Sequence, residues 1–130
     1  MTAYIVREIV RKDTPILTPD TPIRRAAAFL VDARSAAAPL VGDDGGMIGI
    51  LSHKEFFRTV LHASYHREWK GNVADQLTRS VVTVDIDEEI IRTAEMFLEH
   101  PHRVFPVLQA GRVEGLLNRS DVLAFLMRHG

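Results

Sequence analysis

Gly49-Ile50-Leu51-Ser52-His53-Lys54-Glu55 and Gly115-Leu116-Leu117-Asn118-Arg119-Ser120-Asp121 are one phrase written twice: glycine, two aliphatic residues, a polar residue, two spacers and an acid. Each follows an apolar run centred on proline, Ala38-Pro39-Leu40-Val41 in the first case and Phe105-Pro106-Val107-Leu108 in the second. Working backwards, residues 6–41 align with 73–108 without a gap, at a constant shift of 67 (residue 6 on residue 73). Val6/Val73, Asp20/Asp87, Ile23/Ile90, Arg25/Arg92, Ala27/Ala94 and Pro39/Pro106 are identical pairs. One deletion in the second copy then makes the shift 66 (residue 49 on residue 115), pairing Gly45/Gly111, Gly49/Gly115 and Leu51/Leu117 and setting Glu55 against Asp121. A repeated unit this small does not bury its apolar face alone, so the copies are expected to pack on each other, with a ligand at their junction.

Composition narrows the function classes. With 130 residues, 46% of them hydrophobic, the chain reads as one ordinary globular module, residues 1–130, holding repeats at 6–63 and 73–128. Sixteen basic and seventeen acidic side chains leave a net charge of −1, which argues against nucleic acid as a partner. The longest apolar runs are six residues, such as 26–31, too short to span a membrane, and the first ten residues do not read as a secretory signal. A cytoplasmic location is therefore expected. Without cysteine there is no disulfide, thiol nucleophile or Cys-ligated zinc.

The local pattern repeats with the motifs. Residues 6–11 form a short amphipathic segment, and 14–18 a short extended one. Asp20 or Thr21 is the expected N-cap of a helix over 22–33, with Pro22 in its first turn and Ile23, Ala26, Ala27 and Leu30 at helical spacing. Residues 37–41 and 47–51 then make a hairpin across a glycine- and aspartate-rich turn. Ser52 opens a second helix expected to turn Phe56, Phe57, Val60 and Leu61 inward. In the second copy 81–84 is extended, and Asp87 caps a helix carrying Ile90, Ala94, Phe97 and Leu98 that stops at Pro101. A hairpin joins 104–108 to 113–117, and Asn118 opens a helix holding Val122, Leu123, Leu126 and Met127. Residues 63–72, with the single tryptophan Trp69, have no pattern of their own. Each copy reads β-α-β-β-α, an α+β fold.

In both copies and in the same order, the hydrophobic-Pro-hydrophobic run and the Gly-hydrophobic-hydrophobic-polar-x-x-acid phrase resemble cystathionine-β-synthase (CBS) domains. The tandem resembles the CBS pair called a Bateman module. The resemblance covers 6–127 and implies two repeats about a pseudo-twofold axis, clefts that hold adenine nucleotides, and modules that associate as dimers. It also implies roles for particular residues. Asp121 would accept the hydroxyls of a ribose, Arg103 would face phosphate with His102 beside it, and Val81, Val82, Val104 and Phe105 would sandwich the base. Asn118, Arg119 and Ser120 complete that site, and Ser52 and Glu55 form its counterpart in copy one. Two departures stand out: Glu55 carries an extra methylene, and Asn118 stands where relatives carry Thr or Ser.

The residues themselves admit a plainer reading. The first turn of a helix offers unpartnered amides to an anion. Yet Ser52-x-x-Glu55 is also a capping box, and Asn118-x-x-Asp121 is close to one, so both acids suit their own helix ends. His62 and His66, four apart, have a spacing that can clamp a metal, with Glu68 as a third ligand, but also suit a solvated helix end. Ser64, Ser80 and Ser120 lack the context of a nucleophile with its base and orienting acid. The expectation is a regulatory module, not an enzyme, with no required cofactor. It binds AMP, ADP or ATP, forms a homodimer through helical faces and acts on an effector protein. A ligand-free dimerisation or docking module and a metal-responsive module are the alternatives.

Overall fold

A computed structural model of the chain describes residues 4–75 and 81–130, with the side chain of Glu55 outside the described residues. The chain divides into two compact units: a first unit, Thr14–Val81, and a second, made of Met1–Asp13 with Val82–Gly130.

The first unit contains α1 (Ile23–Ala33), β1 (Ala37–Val41), β2 (Met47–Ser52) and α2 (His53–His66). β1 and β2 form an antiparallel hairpin in which Pro39 faces Ile50 and Leu40 faces Gly49, with a bulge between Leu40 and Val41. The expected leading strand is reduced to one parallel bridge, Leu17 to Leu40. Leu17 donates to Pro39 O at 3.0 Å and accepts from Val41 N at 2.9 Å. Pro15 has no N–H to extend that ladder. Leu17, Ile23, Ala26, Leu30, Ala38, Leu40, Leu51, Phe56 and Val73 make the core, with Trp69 packed against it.

The second unit contains β3 (Val84–Asp85), α3 (Ile90–Glu99), β4 (Val104–Gln109), β5 (Arg112–Asn118) and α4 (Arg119–His129). Its sheet runs β3-β4-β5, with β3 parallel and β5 antiparallel to β4. Ala110 and Gly111, at φ 51° and 81°, make the β4–β5 turn, and left-handed backbone at both central positions matches the twist of a two-residue hairpin. The bulge between Val107 and Leu108 falls at the position equivalent to Leu40/Val41. Phe105 is fully buried at the centre, with its ring 4.2 Å from that of Phe97.

The opening segment of each copy packs in the other copy's unit. Val6, in a 3-10 turn (Val6–Glu8), is fully buried in the second-unit core, where its amide donates to Glu88 O. Val73, in the equivalent turn (Val73–Asp75), is fully buried in the first-unit core and donates to Thr21 O. The bridges Ile5 to Glu89 and Pro22 to Asn72 are the same pair with the copies exchanged.

Several local expectations are corrected. α1 is capped by position at Pro22 without a side-chain bond, and Asp20 instead accepts from Thr18 Oγ1. α3 starts after Glu89, while Asp87 accepts from Arg7 at 2.9 Å. Phe57 and Leu61 are exposed rather than inward, and Leu98, Leu123 and Met127 of the second unit are exposed as well. A helix lying on a small sheet buries only a narrow stripe. Phe56, Val60 and Ala63 fill that stripe on α2, and their neighbours one residue on are turned outward. No described helix is long and apolar enough to cross a membrane.

Candidate functional site at the start of α4

In the second unit the end of β5 runs directly into α4. The Arg119 amide donates to Arg103 O at 2.8 Å, which fixes the residue preceding β4 beside the first turn of α4. The first unit repeats this bond, from His53 N to Ala36 O at 2.7 Å. Asn118 is the N-cap by position, extended at φ −90° and ψ 138°, but makes no side-chain cap bond. By position, the Ser120 and Asp121 amides have no intrahelical acceptor.

Asp121 is neither free nor spent on its own backbone. Arg11 grips it with a two-point fork, Nε to Oδ2 at 2.6 Å and Nη2 to Oδ1 at 2.9 Å. Asn118 Nδ2 adds a longer contact to Oδ2 at 3.4 Å. The Asp121 side chain keeps 23% of its accessible surface, and that of Arg11 keeps 54%. The hydrogen bond from Arg11 holds the Asp121 carboxyl below the usual carboxylate range, against a partial desolvation that works the other way. Arg11 is held above its ordinary value by the same hydrogen bond.

Arg11 is placed by its backbone. Its amide donates to Leu116 O, and its carbonyl accepts from Leu116 N, both at 2.9 Å. The passage is so close that a Cβ on Gly115 would lie 2.1 Å from Arg11 O. Glycine at position 115 therefore leaves room for another strand of chain. Sequence reasoning missed Arg11, 110 residues from Asp121, and the unexplained glycine was the signal that could have found it.

Of the expected site residues, Arg103, Asn118, Arg119, Ser120 and Asp121 are gathered at this corner, with Arg103, Arg119 and Ser120 exposed. His102 and His100 stack at 5.7 Å, each edge-on to Phe105. Phe105 itself is corrected: with no exposed surface, it is core and not a wall for a base. Val104 is 9% exposed and likewise largely core. Val82 packs against the second-unit core, and Val81 is half-buried in the first unit. Ser52 ends β2 at the equivalent corner of the first unit, and the expected role of the Glu55 side chain lies outside the described residues. His62 and His66 have ring centroids 4.4 Å apart on exposed turns of α2. Among the described residues no three His, Cys, Asp or Glu side chains come together to hold a metal.

The family model for the CBS domain matches the chain twice, over residues 6–62 and 73–128. The chain belongs to the CBS domain family. Its CBS pair resembles CBSX2 from Arabidopsis thaliana. The crystal structure of CBSX2 in complex with AMP is 23% identical, with a TM-score of 0.81 over 96% of this chain and 97% of that one. The CBS domain pair of protein MJ0100, solved with 5′-methylthioadenosine and S-adenosyl-L-methionine, is 20% identical, with a TM-score of 0.82 over 99% and 100%. At these identities the likeness is one of fold. Among curated relatives, the uncharacterized protein MJ1225 of Methanocaldococcus jannaschii is 24% identical over 121 residues, 93% of this chain and 42% of that protein. The chain spans less than half the length of the curated relatives it matches first.

Proposed function

We propose that this CBS pair is a cytoplasmic regulatory module, not an enzyme, that binds an adenine nucleotide (AMP, ADP or ATP) at the start of α4. The carrying observation is the position of Asp121 in the first turn, flanked by exposed Arg103 and Arg119 and by amides without intrahelical acceptors. A carboxylate there accepts the two ribose hydroxyls, while the helix start and the guanidinium groups suit phosphate. Support comes from two relatives of the same fold, one crystallised with AMP and the other with 5′-methylthioadenosine and S-adenosyl-L-methionine. The nucleotide signals by changing the conformation of the pair or the packing of its homodimer, read by an effector protein. The equivalent corner of the first unit, with Ser52 and Glu55, is the weaker site because Ala36 stands where the second unit has Arg103.

Calorimetry with AMP and ATP on the wild type and Asp121→Ala tests this reading. The expected loss on substitution is roughly ten- to hundredfold, about 1.4–2.8 kcal/mol. Wild-type binding that Asp121→Ala leaves unchanged removes the ribose role. Absence of any thermal shift with adenine nucleotides favours the ligand-free docking module instead, since ligand at a hundred times its Kd adds about 2.7 kcal/mol.

A further inference from the structure

The fork on Asp121 has a consequence for any sugar that approaches it. An ionised carboxylate has about four lone-pair positions, two on each oxygen. The inner two point the same way and together match a donor pair held side by side. The outer two diverge. A guanidinium presenting Nε and Nη2 is such a side-by-side pair, and Arg11 fills the matching positions on Oδ2 and Oδ1. A vicinal diol also presents two donors side by side and needs the same two positions. The divergent pair cannot serve it, and Asn118 already leans on Oδ2.

We infer that Arg11 is an internal competitor for the ribose position, so that a ligand with a vicinal diol binds Asp121 only by displacing the Arg11 side chain. This rests on the nucleotide reading and adds a specificity-determining residue to it. The backbone of Arg11 stays clamped to Leu116 on both sides, so displacement moves the guanidinium and not the strand. Half-exposed and still tethered, the released cation remains at the corner, where a phosphate-bearing ligand gives it a new partner and a neutral nucleoside does not. Arg11 therefore weakens diol binding in general and penalises uncharged ribosides most.

The test is calorimetry of the full chain with AMP and with adenosine, on the wild type, Arg11→Met and Arg11→Lys. Arg11→Met keeps the aliphatic stem and the backbone bonds, and Arg11→Lys keeps the charge without the fork. Arg11→Met is expected to tighten adenosine roughly three- to tenfold and AMP by less, with Arg11→Lys between it and the wild type. Equal or weaker adenosine binding by Arg11→Met, with AMP still bound by the wild type, overturns the competitor role and leaves the nucleotide reading standing. Silence of the wild type and both variants toward both ligands overturns the two together. Binding that appears only in Arg11→Met supports both.

Discussion

The corner Ala36–Ser52–His53 of the first unit and the corner Arg103–Asn118–Arg119 of the second share one backbone. The hairpin registers correspond, Ala37 facing Ser52 as Val104 faces Asn118, and each helix begins with the same amide-to-carbonyl bond. What differs is the chemistry mounted on it. Ala36 answers Arg103, and Thr78, outside the described residues, aligns with Arg11 in the 67-residue shift. Both corners keep the frame that presents a helix start, but Arg103 and Arg11 stand at the corner of the second unit where Ala36 and Thr78 are their counterparts, while exposed His53 and Lys54 answer Arg119 and Ser120 in the first. The cores diverged similarly, since Phe97 stacked on Phe105 corresponds to Leu30 and Ala38.

The largest effect should come from breaking the aromatic side of that contrast. Phe105→Ala, which gives the second unit the residue the first already has at Ala38, leaves a cavity beside Phe97 and should cost about 3–5 kcal/mol. Urea denaturation measures it. A cost under about 1 kcal/mol would mean that the second unit closes around an alanine as the first does.

Next comes the clamp between Gly115 and Arg11. Gly115→Ala puts a methyl group against the Arg11 carbonyl, a backbone atom that cannot rotate away. The strand must shift, and overpacking of this kind costs about 1–3 kcal/mol. Faster hydrogen exchange at the Arg11 and Leu116 amides, whose mutual bonds depend on that approach, would place the damage where expected. Normal exchange there would show that the close passage is not maintained in solution.

The sequence showed the duplication, both hairpins and the polar-to-acid phrase at each helix start because these depend on neighbours in the chain: glycine in turns, apolar runs and first-turn acids. It did not show which unit each leading segment joins. Val6 and Val73 are the same residue at equivalent positions of the repeat, and an apolar residue there fits either core, so nothing local tells one copy to pack in the other's unit. For the same reason the partner of Asp121 is not legible in the sequence, being supplied by a segment 110 residues away. Phe57 and Leu98 illustrate a second limit: periodicity marks an apolar side of a helix, but the sheet decides how much of it is covered.

The smallest effect sharpens the electrostatic side of the comparison. Because Asp121 is held below the usual carboxylate range in the folded chain, the link to Arg11 stabilises the fold at pH above the ordinary carboxylate value. As pH falls through the lowered folded value both states carry the proton and the contribution is lost. Arg11 stays charged throughout, since its own shift is upward. With Arg11 half-exposed, water screens the pair, so Arg11→Met should cost at most about 1 kcal/mol at pH 6. That difference from the wild type should vanish as the carboxylate protonates. Paired urea curves at pH 6 and toward pH 3 read it directly. A gap of the same size at both ends would assign the role of Arg11 to its aliphatic stem, and the contrast between the two corners would then be one of packing rather than charge.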